Sequence, residues 1–348
     1  MNKTIDKNYC MSSFLTFRYI ANHNFTWREG IEPAAMQLIP EEDKIACKTS
    51  DDIDRIINEQ LQGIVPEKTA LLLSGGIDSG ILAAYMPKGV RAYTVVNPNP
   101  SSDLEVKRAE KICKETGLEH IVVEVTWSDY EACIDKLMIH DGCPVFANEP
   151  QVYTLSKRIK EDGNEVIVLG DNADMAFGGM DRLLSKDWTF EEWVERYTFL
   201  PPEDVLKNAV SVLDVYEGYK RGSNGVDFIK FINEIFASSS SGAYLNAFDC
   251  IGISYLDPYA RLKMADDLDL NRVRAGESKY LLRELYKKKF PAFEVPEKIA
   301  MVRAVDNWMR DWRGPQRPEF KPDCINGLTG EQRFLIYSLE RFLNIMNL

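Results

Sequence analysis

Short apolar runs alternate with amphipathic stretches through the first half of the chain. Thr69-Ala-Leu-Leu-Leu73 meets a glycine pair, as a buried strand entering a tight turn should. Ile77 to Met86 predicts a helix ended by Pro87 and Gly89. Arg91 to Val96 is a second β-branched run, closed by the breaker cluster Asn97-Pro-Asn-Pro-Ser-Ser102. Asp103 is placed to cap a helix through Thr116 that stops at Gly117. His120 to Val125 predicts a third strand, followed by a helix from about Asp129 to Ile139 and a break at Gly142 and Pro144. Pro150 to Asp162 is helical in pattern, and Glu165 to Leu169 predicts a fourth strand running into Gly170. This alternation predicts an α/β fold, a parallel sheet with helices on both faces.

Beyond Gly179 the pattern changes. Thr189–Tyr197, Pro202–Tyr219, Val226–Phe236, Ser278–Lys289 and Gly330–Asn347 carry helical periodicity, with no alternating strand among them. The expected organisation is an N-terminal segment over 1–60, an α/β domain over 61–185 and a mainly helical region over 186–348. No repeat, low-complexity tract or long linker interrupts it.

Composition narrows the classes. Hydrophobic residues at 45% and charged residues at 28% describe an ordinary globular chain. A formal charge of −12 argues against a nucleic-acid partner, which favours a basic face. No uninterrupted apolar run approaches the roughly 20 residues of a membrane span, and Met1 to Phe17 lacks the basic-then-apolar order of a signal peptide. Seven cysteines without a CxxC pair suit reduced thiols, and only three histidines (His23, His120 and His140) accompany them. Both counts speak against a zinc or iron–sulfur centre. A cytoplasmic address is expected.

Open α/β sheets hold ligands at the carboxyl ends of their strands. Ser74-Gly75-Gly76-Ile77-Asp78-Ser79 sits there, between the first strand and its helix. Gly75 and Gly76 permit close backbone approach, the helix N-terminus favours an anion, and Ser74 and Ser79 can donate hydrogen bonds. An acidic residue in a phosphate loop makes sense once a divalent cation is supplied, because Asp78 can then ligate magnesium. The plainer alternative is a tight glycine turn with Asp78 capping the helix. No GxxxxGK(S/T) string occurs, so this is not the usual P-loop of nucleotide hydrolases.

SGGIDS after ALLL resembles the PP-loop of the N-type ATP pyrophosphatases. A second block, Val168-Leu-Gly-Asp-Asn-Ala-Asp-Met-Ala-Phe-Gly-Gly179, resembles the SGEGxDExFGG block of the asparagine synthetase family. Tyr255-Leu-Asp-Pro-Tyr259, Lys279-Tyr-Leu-Leu-Arg283 and Glu297-Lys298 follow in that family's order, and Phe14–Tyr19 and Trp27–Ile31 look like its linker into the synthetase domain. The resemblance spans about Leu61 to Trp312. It implies an adenine nucleotide alpha-hydrolase-like, PP-loop fold, a parallel twisted sheet flanked by helices, with ATP and Mg2+ as cofactors. Ser74, Gly75, Gly76, Asp78 and Ser79 would hold pyrophosphate and metal, with Asp174 the other metal ligand. Leu73, Val95 and Gly170 would meet the adenosine. Lys298 would neutralise charge at the reacting centre, with Lys279 assisting. The implied reaction activates a substrate carboxylate as an acyl-adenylate and passes it to ammonia or an amine, with Asp171 the candidate base. Without the resemblance, Asp174 reads as a cap on the Met175–Phe177 turn, Asp171 as a loop cap, and Lys298 as a solvated lysine.

The departures fall on the acceptor side. Asn172 and Met175 replace the family's glycine and glutamate, Asp171 shortens its glutamate, and Cys250–Asp257 loses most of its EVRxPFLD segment. Residue two is Asn2 rather than the glutaminase cysteine, and Cys10 lies in a different setting. The expectation is therefore an acceptor other than aspartate, using free ammonia, an amine or a separate glutaminase partner; self-association is common among such relatives. Two rivals stand beside it: a PP-loop thiolation enzyme, which would want cysteine pairs and a basic surface, and a non-catalytic nucleotide-binding scaffold. Trp188, Trp193, Trp308 and Trp312 either line an acceptor pocket or belong to the core.

Overall fold

The computed structural model describes residues 3–98, 101–298, 301 and 303–348. Five strands, β1 (Thr69–Leu72), β2 (Arg91–Val96), β3 (Glu119–Glu124), β4 (Val166–Val168) and β5 (Ser254–Leu256), form one sheet in the order β5-β4-β1-β2-β3. Every neighbouring pair is parallel. The chain steps from β1 outward through β2 to β3, then returns to lay β4 on the other side of β1. The carboxyl ends of β1 and β4 therefore flank the switch point at which such sheets hold ligands.

Successive residues of a strand point to opposite faces, and here they enter two separate cores. Ala70, Tyr93, Ile167 and Leu169 join one; Leu71, Ala92 and Val168 join the other. The second core is closed by Ile53, Ile56 and Ile57 of the Ser50–Gln60 helix, Ile81 and Leu82, Ile112, and Leu282 and Leu285. The first is closed by the helices Trp127–Asp141, Asn148–Glu161 and Ala237–Ile251, and by the terminal helices Lys7–Phe17 and Gly330–Ile345. A third cluster, rich in aromatic residues around Trp193, Tyr216 and Phe231, lies under the helical region.

The predicted helices and strands of the first half are present, with shifted ends. The Ile77–Met86 expectation is regular helix only to Ala83. The Asp103 helix begins two residues earlier, at Ser101, so Asp103 lies in its first turn rather than at its cap. Asn99 and Pro100 of the breaker cluster lie outside the described residues. The Trp127–Asp141 helix starts on a reciprocal Thr126–Asp129 capping box and stops at Gly142.

The second half differs more. It supplies β5, three residues that the pattern does not reveal because Ser254 and Tyr255 are exposed and the strand exists by pairing with β4. Pro202–Tyr219 is not one helix but two short ones, Pro202–Val205 and Leu213–Glu217, since Leu206 turns away to bridge Phe320. The Val226–Phe236 stretch runs through a π-turn at Ile232–Phe236 into Ala237–Ile251. Among the described residues no helix is long and apolar enough to cross a membrane.

Candidate active site

Gly75 has a φ of +71°, and a Cβ there would lie 2.5 Å from Arg108 Cβ and 2.9 Å from the Ala109 nitrogen. Only glycine lets the loop after β1 pass that helix. The loop is tied internally. The Ser74 N–H donates to Ser79 Oγ at 3.2 Å, and the two hydroxyls are 3.1 Å apart. Thr94 Oγ1 on β2 donates to the Leu73 carbonyl at 2.6 Å.

Asp78, in the first turn of the following helix, does not cap it; Gly76 holds the cap position without a side-chain bond. The Asp78 carboxylate instead accepts from Lys279 Nζ at 2.5 Å. Lys279 also pairs with Asp174, whose other oxygen accepts from Lys298 Nζ at 2.8 Å. Lys298 donates again to the Gly179 carbonyl at 2.7 Å. A row of alternating charge, Asp78–Lys279–Asp174–Lys298, thus joins four stretches of sequence. Gly179 permits it, because a Cβ there would fall 2.0 Å from Asp174 Oδ1. Asp174 lies inside the Ala173–Ala176 turn rather than capping it.

The electrostatics follow from burial. Burial pushes the Asp78 carboxyl up, against the pull of Lys279. Burial also acts on Asp174, but Lys279 and Lys298 outweigh it and hold its carboxyl below the ordinary range. Lys279 is 7% exposed along its side chain, yet its two aspartate partners overcome that burial and keep it protonated. Asp78 Oδ1 is buried with no hydrogen-bond partner. A second aspartate nearby and an oxygen lacking a donor suit a hard cation that takes its remaining oxygens from a polyphosphate. No group of three or more His, Cys, Asp or Glu among the described residues forms a metal cage of its own.

Asp171, at the end of β4, accepts from Ser240 Oγ at 3.0 Å and Ser241 Oγ at 2.7 Å. Burial, reinforced by Asp257, pushes its carboxyl up to about 7 against those two donors. Asp257 itself accepts from the Asn172 N–H and amide, and burial raises it to about 6.

A cavity of about 240 Å3 unites these groups. Leu73, Ser74, Gly76, Asp78, Ser79 and Val95 line one side. Gly170, Asp171, Asp174, Lys279 and Lys298 line the other. Gly75 is not among the lining residues; it packs against the Ser101–Thr116 helix. Sequence reasoning missed three groups on the wall, Glu105, Gln151 and Tyr244. Glu105 is 6% exposed, and burial lifts its carboxyl to about 7. Gln151 carried no signal of its own, being one of several polar residues in Asn148–Glu161. The unusual serine run Ser238–Ser241 was the signal for the groups that hold Asp171. The tryptophans belong to the cores: Trp193 is buried, Trp188, Trp308 and Trp312 pack beside it or against the first core, and none lines this cavity.

A model described as asparagine synthase matches residues 49–229, just over half of the chain and inclusive of both glycine-bearing loops. The chain belongs to the asparagine synthase family. The family match ends before Lys279 and Lys298, so their place beside the two loops is known from geometry alone. A Methanocaldococcus jannaschii protein, provisionally named a glutamine-hydrolysing asparagine synthetase, is 27% identical over 179 residues. Those residues are 47% of this chain and 31% of that protein, so the chain spans about a third of the relative it matches. Among solved structures, NMN synthetase of Francisella tularensis is similar at 12% identity and a TM-score of 0.28, over 74% of this chain and 100% of that one. NH3-dependent NAD synthetase of Campylobacter jejuni is similar at 14% identity and 0.26, over 72% and 97%. The U34-tRNA thiolase NcsA of Methanococcus maripaludis is similar at 16% and 0.28, over 78% and 90%.

Proposed function

We propose that this asparagine synthase family member adenylates a substrate carboxylate with ATP and transfers the acyl group to ammonia or an amine. The observation that carries this reading is the Asp78–Lys279–Asp174–Lys298 row at the mouth of a glycine loop. It concentrates cations and metal-ligating oxygens where pyrophosphate would leave.

In the first step a carboxylate oxygen bonds to the α-phosphorus, and the bond to the bridging oxygen breaks, releasing pyrophosphate. Ser74, Gly76 and Ser79 bind the departing group, and Lys279 and Lys298 offset its charge. Asp78 and Asp174 would hold magnesium, which supplies further neutralisation of the phosphate oxygens when bound. In the second step the nitrogen attacks the acyl carbon, and the bond to AMP breaks. The nitrogen's proton passes to Asp171, whose carboxyl near 7 is poised to accept it. The loss of the family's acidic and basic residues over Cys250–Asp257 supports an acceptor other than aspartate. The absence of paired cysteines favours ligation over thiolation.

ATP–pyrophosphate exchange with magnesium, screened across pools of carboxylates, tests the reading. One carboxylate should support exchange, with at least 100-fold loss in Asp78→Ala and Lys298→Ala. Exchange that is carboxylate-independent, or equal in Asp78→Ala, would sink it.

A further inference from the structure

A second cavity, of about 550 Å3, lies behind Lys298 and shares that residue with the first. Its walls carry Arg18, Arg182 and Arg196 against one carboxylate, Asp181, in a chain whose net charge is −12. Among the described residues, none of the three arginines has a carboxylate within ion-pair distance; their charge is uncompensated.

Arg18 is the informative residue. It ends the Lys7–Phe17 helix in the left-handed conformation, with φ +69°, where glycine is the common choice. A bulky residue there is kept at a conformational cost, which turns attention to its side chain. The guanidinium lies over the rings of Phe146, Phe199 and Phe236, at 4.9, 5.3 and 5.7 Å from their centroids. Its Nε is buried and has no hydrogen-bond partner. Beside it the buried hydroxyl of Tyr197, 7% exposed, faces the Arg18 guanidinium and finds no acceptor for its own proton. Buried donors without acceptors are rare and costly. Two of them on one basic cavity need an acceptor brought from outside.

We propose that this cavity binds the acyl substrate, and that the substrate carries a second anionic group, a carboxylate or a phosphate, remote from the carboxylate that is activated. Arg18 and the Tyr197 hydroxyl hold that group, since a guanidinium presents a fork of donors to either oxyanion. Arg182 and Arg196, exposed beside the cavity, draw it in. Phe199 and Phe236 cover the body of the molecule, and Lys298 at the shared wall meets the reacting end. The inference rests on the adenylation reading and names the substrate class of that site.

The test is calorimetric titration of the full chain, its phosphate loop filled with magnesium and α,β-methylene-ATP. The probes are benzoate, isophthalate and 4-carboxyphenyl phosphate. At least one dianion should bind tenfold or more tighter than benzoate, and which one does so identifies the anion. Arg18→Gln should erase the advantage and leave affinity for the nucleotide analogue unchanged. Arg196→Gln, at an exposed position, should reduce the advantage severalfold. Dianions no tighter than benzoate on the wild type, or an advantage untouched by both variants, would overturn the site. Failure of exchange with every carboxylate, beside an Arg18-dependent dianion advantage, would remove the activity and leave the anion site standing. Exchange that prefers monocarboxylates and ignores Arg18→Gln would do the reverse.

Discussion

At the scale of single residues, Asp171 makes the sharpest case. Its carboxyl titrates near 7 because burial and Asp257 outweigh the serine donors. A base that must be ionised then loses activity as pH falls through 7. Amide formation from a preformed acyl-adenylate should rise with pH to a plateau above 8, and Asp171→Asn should be slow throughout. The stability effect has the opposite sign. A carboxyl whose folded value lies above the unfolded one, roughly 3.9, contributes stability at low pH and loses it between about 4 and 7. Asp171→Asn should therefore gain on the wild type by about 1–2 kcal/mol at pH 8 relative to pH 4, a figure discounted for partial exposure. Chemical unfolding at the two pH values measures it, and an equal difference at both would contradict the burial argument. The sequence announced a carboxylate at this position but not its environment. Ser240, Ser241 and Asp257 lie some seventy residues or more away, and only the fold joins them.

At the scale of elements, the strand–loop–helix after β1 was readable because its physics is local. An apolar run, a glycine pair and a short helix follow one another between Thr69 and Ala83. The structural demand on Gly75 comes from a different helix, with Arg108 Cβ 2.5 Å from any added methyl. Gly75→Ala adds that clash to an unfavourable positive φ. It should cost at least about 2 kcal/mol in thermal unfolding, while Gly76→Ala, whose nearest neighbour would be Ser74 Oγ at 3.4 Å, should cost less. Equal losses would show that the loop yields to both. β5 illustrates the opposite limit. Three residues with two exposed side chains carry no period, and only the open edge of β4 makes them a strand. Lys279 and Lys298 were legible by resemblance alone, since a lysine's partners three motifs away leave no trace in its neighbours.

At the scale of the molecule, the sheet separates two cores that share no side chain. Ile81 lies in one and Ile159 in the other, both fully buried. Ile81→Val and Ile159→Val should each cost about 1 kcal/mol, and their sum should match the double variant within about 0.5 kcal/mol. A larger coupling in denaturant titrations would mean that the sheet transmits strain between its faces. The acceptor-side cavity stands apart in the same way: its aromatic walls belong to the first core and the third cluster, not to the core beneath the glycine loop. The separation of the two cavities is incomplete, because Tyr93, Val152 and Leu169 of the first core also line the cavity beside the glycine loop. Replacements on the Ile81 face of the sheet can accumulate without touching the Arg18 cavity, whereas replacements in the first core reach both cavities. A library meant to alter the Arg18 cavity alone should consequently be confined to Arg182, Arg196 and Phe236, and spare the first core that the two cavities share.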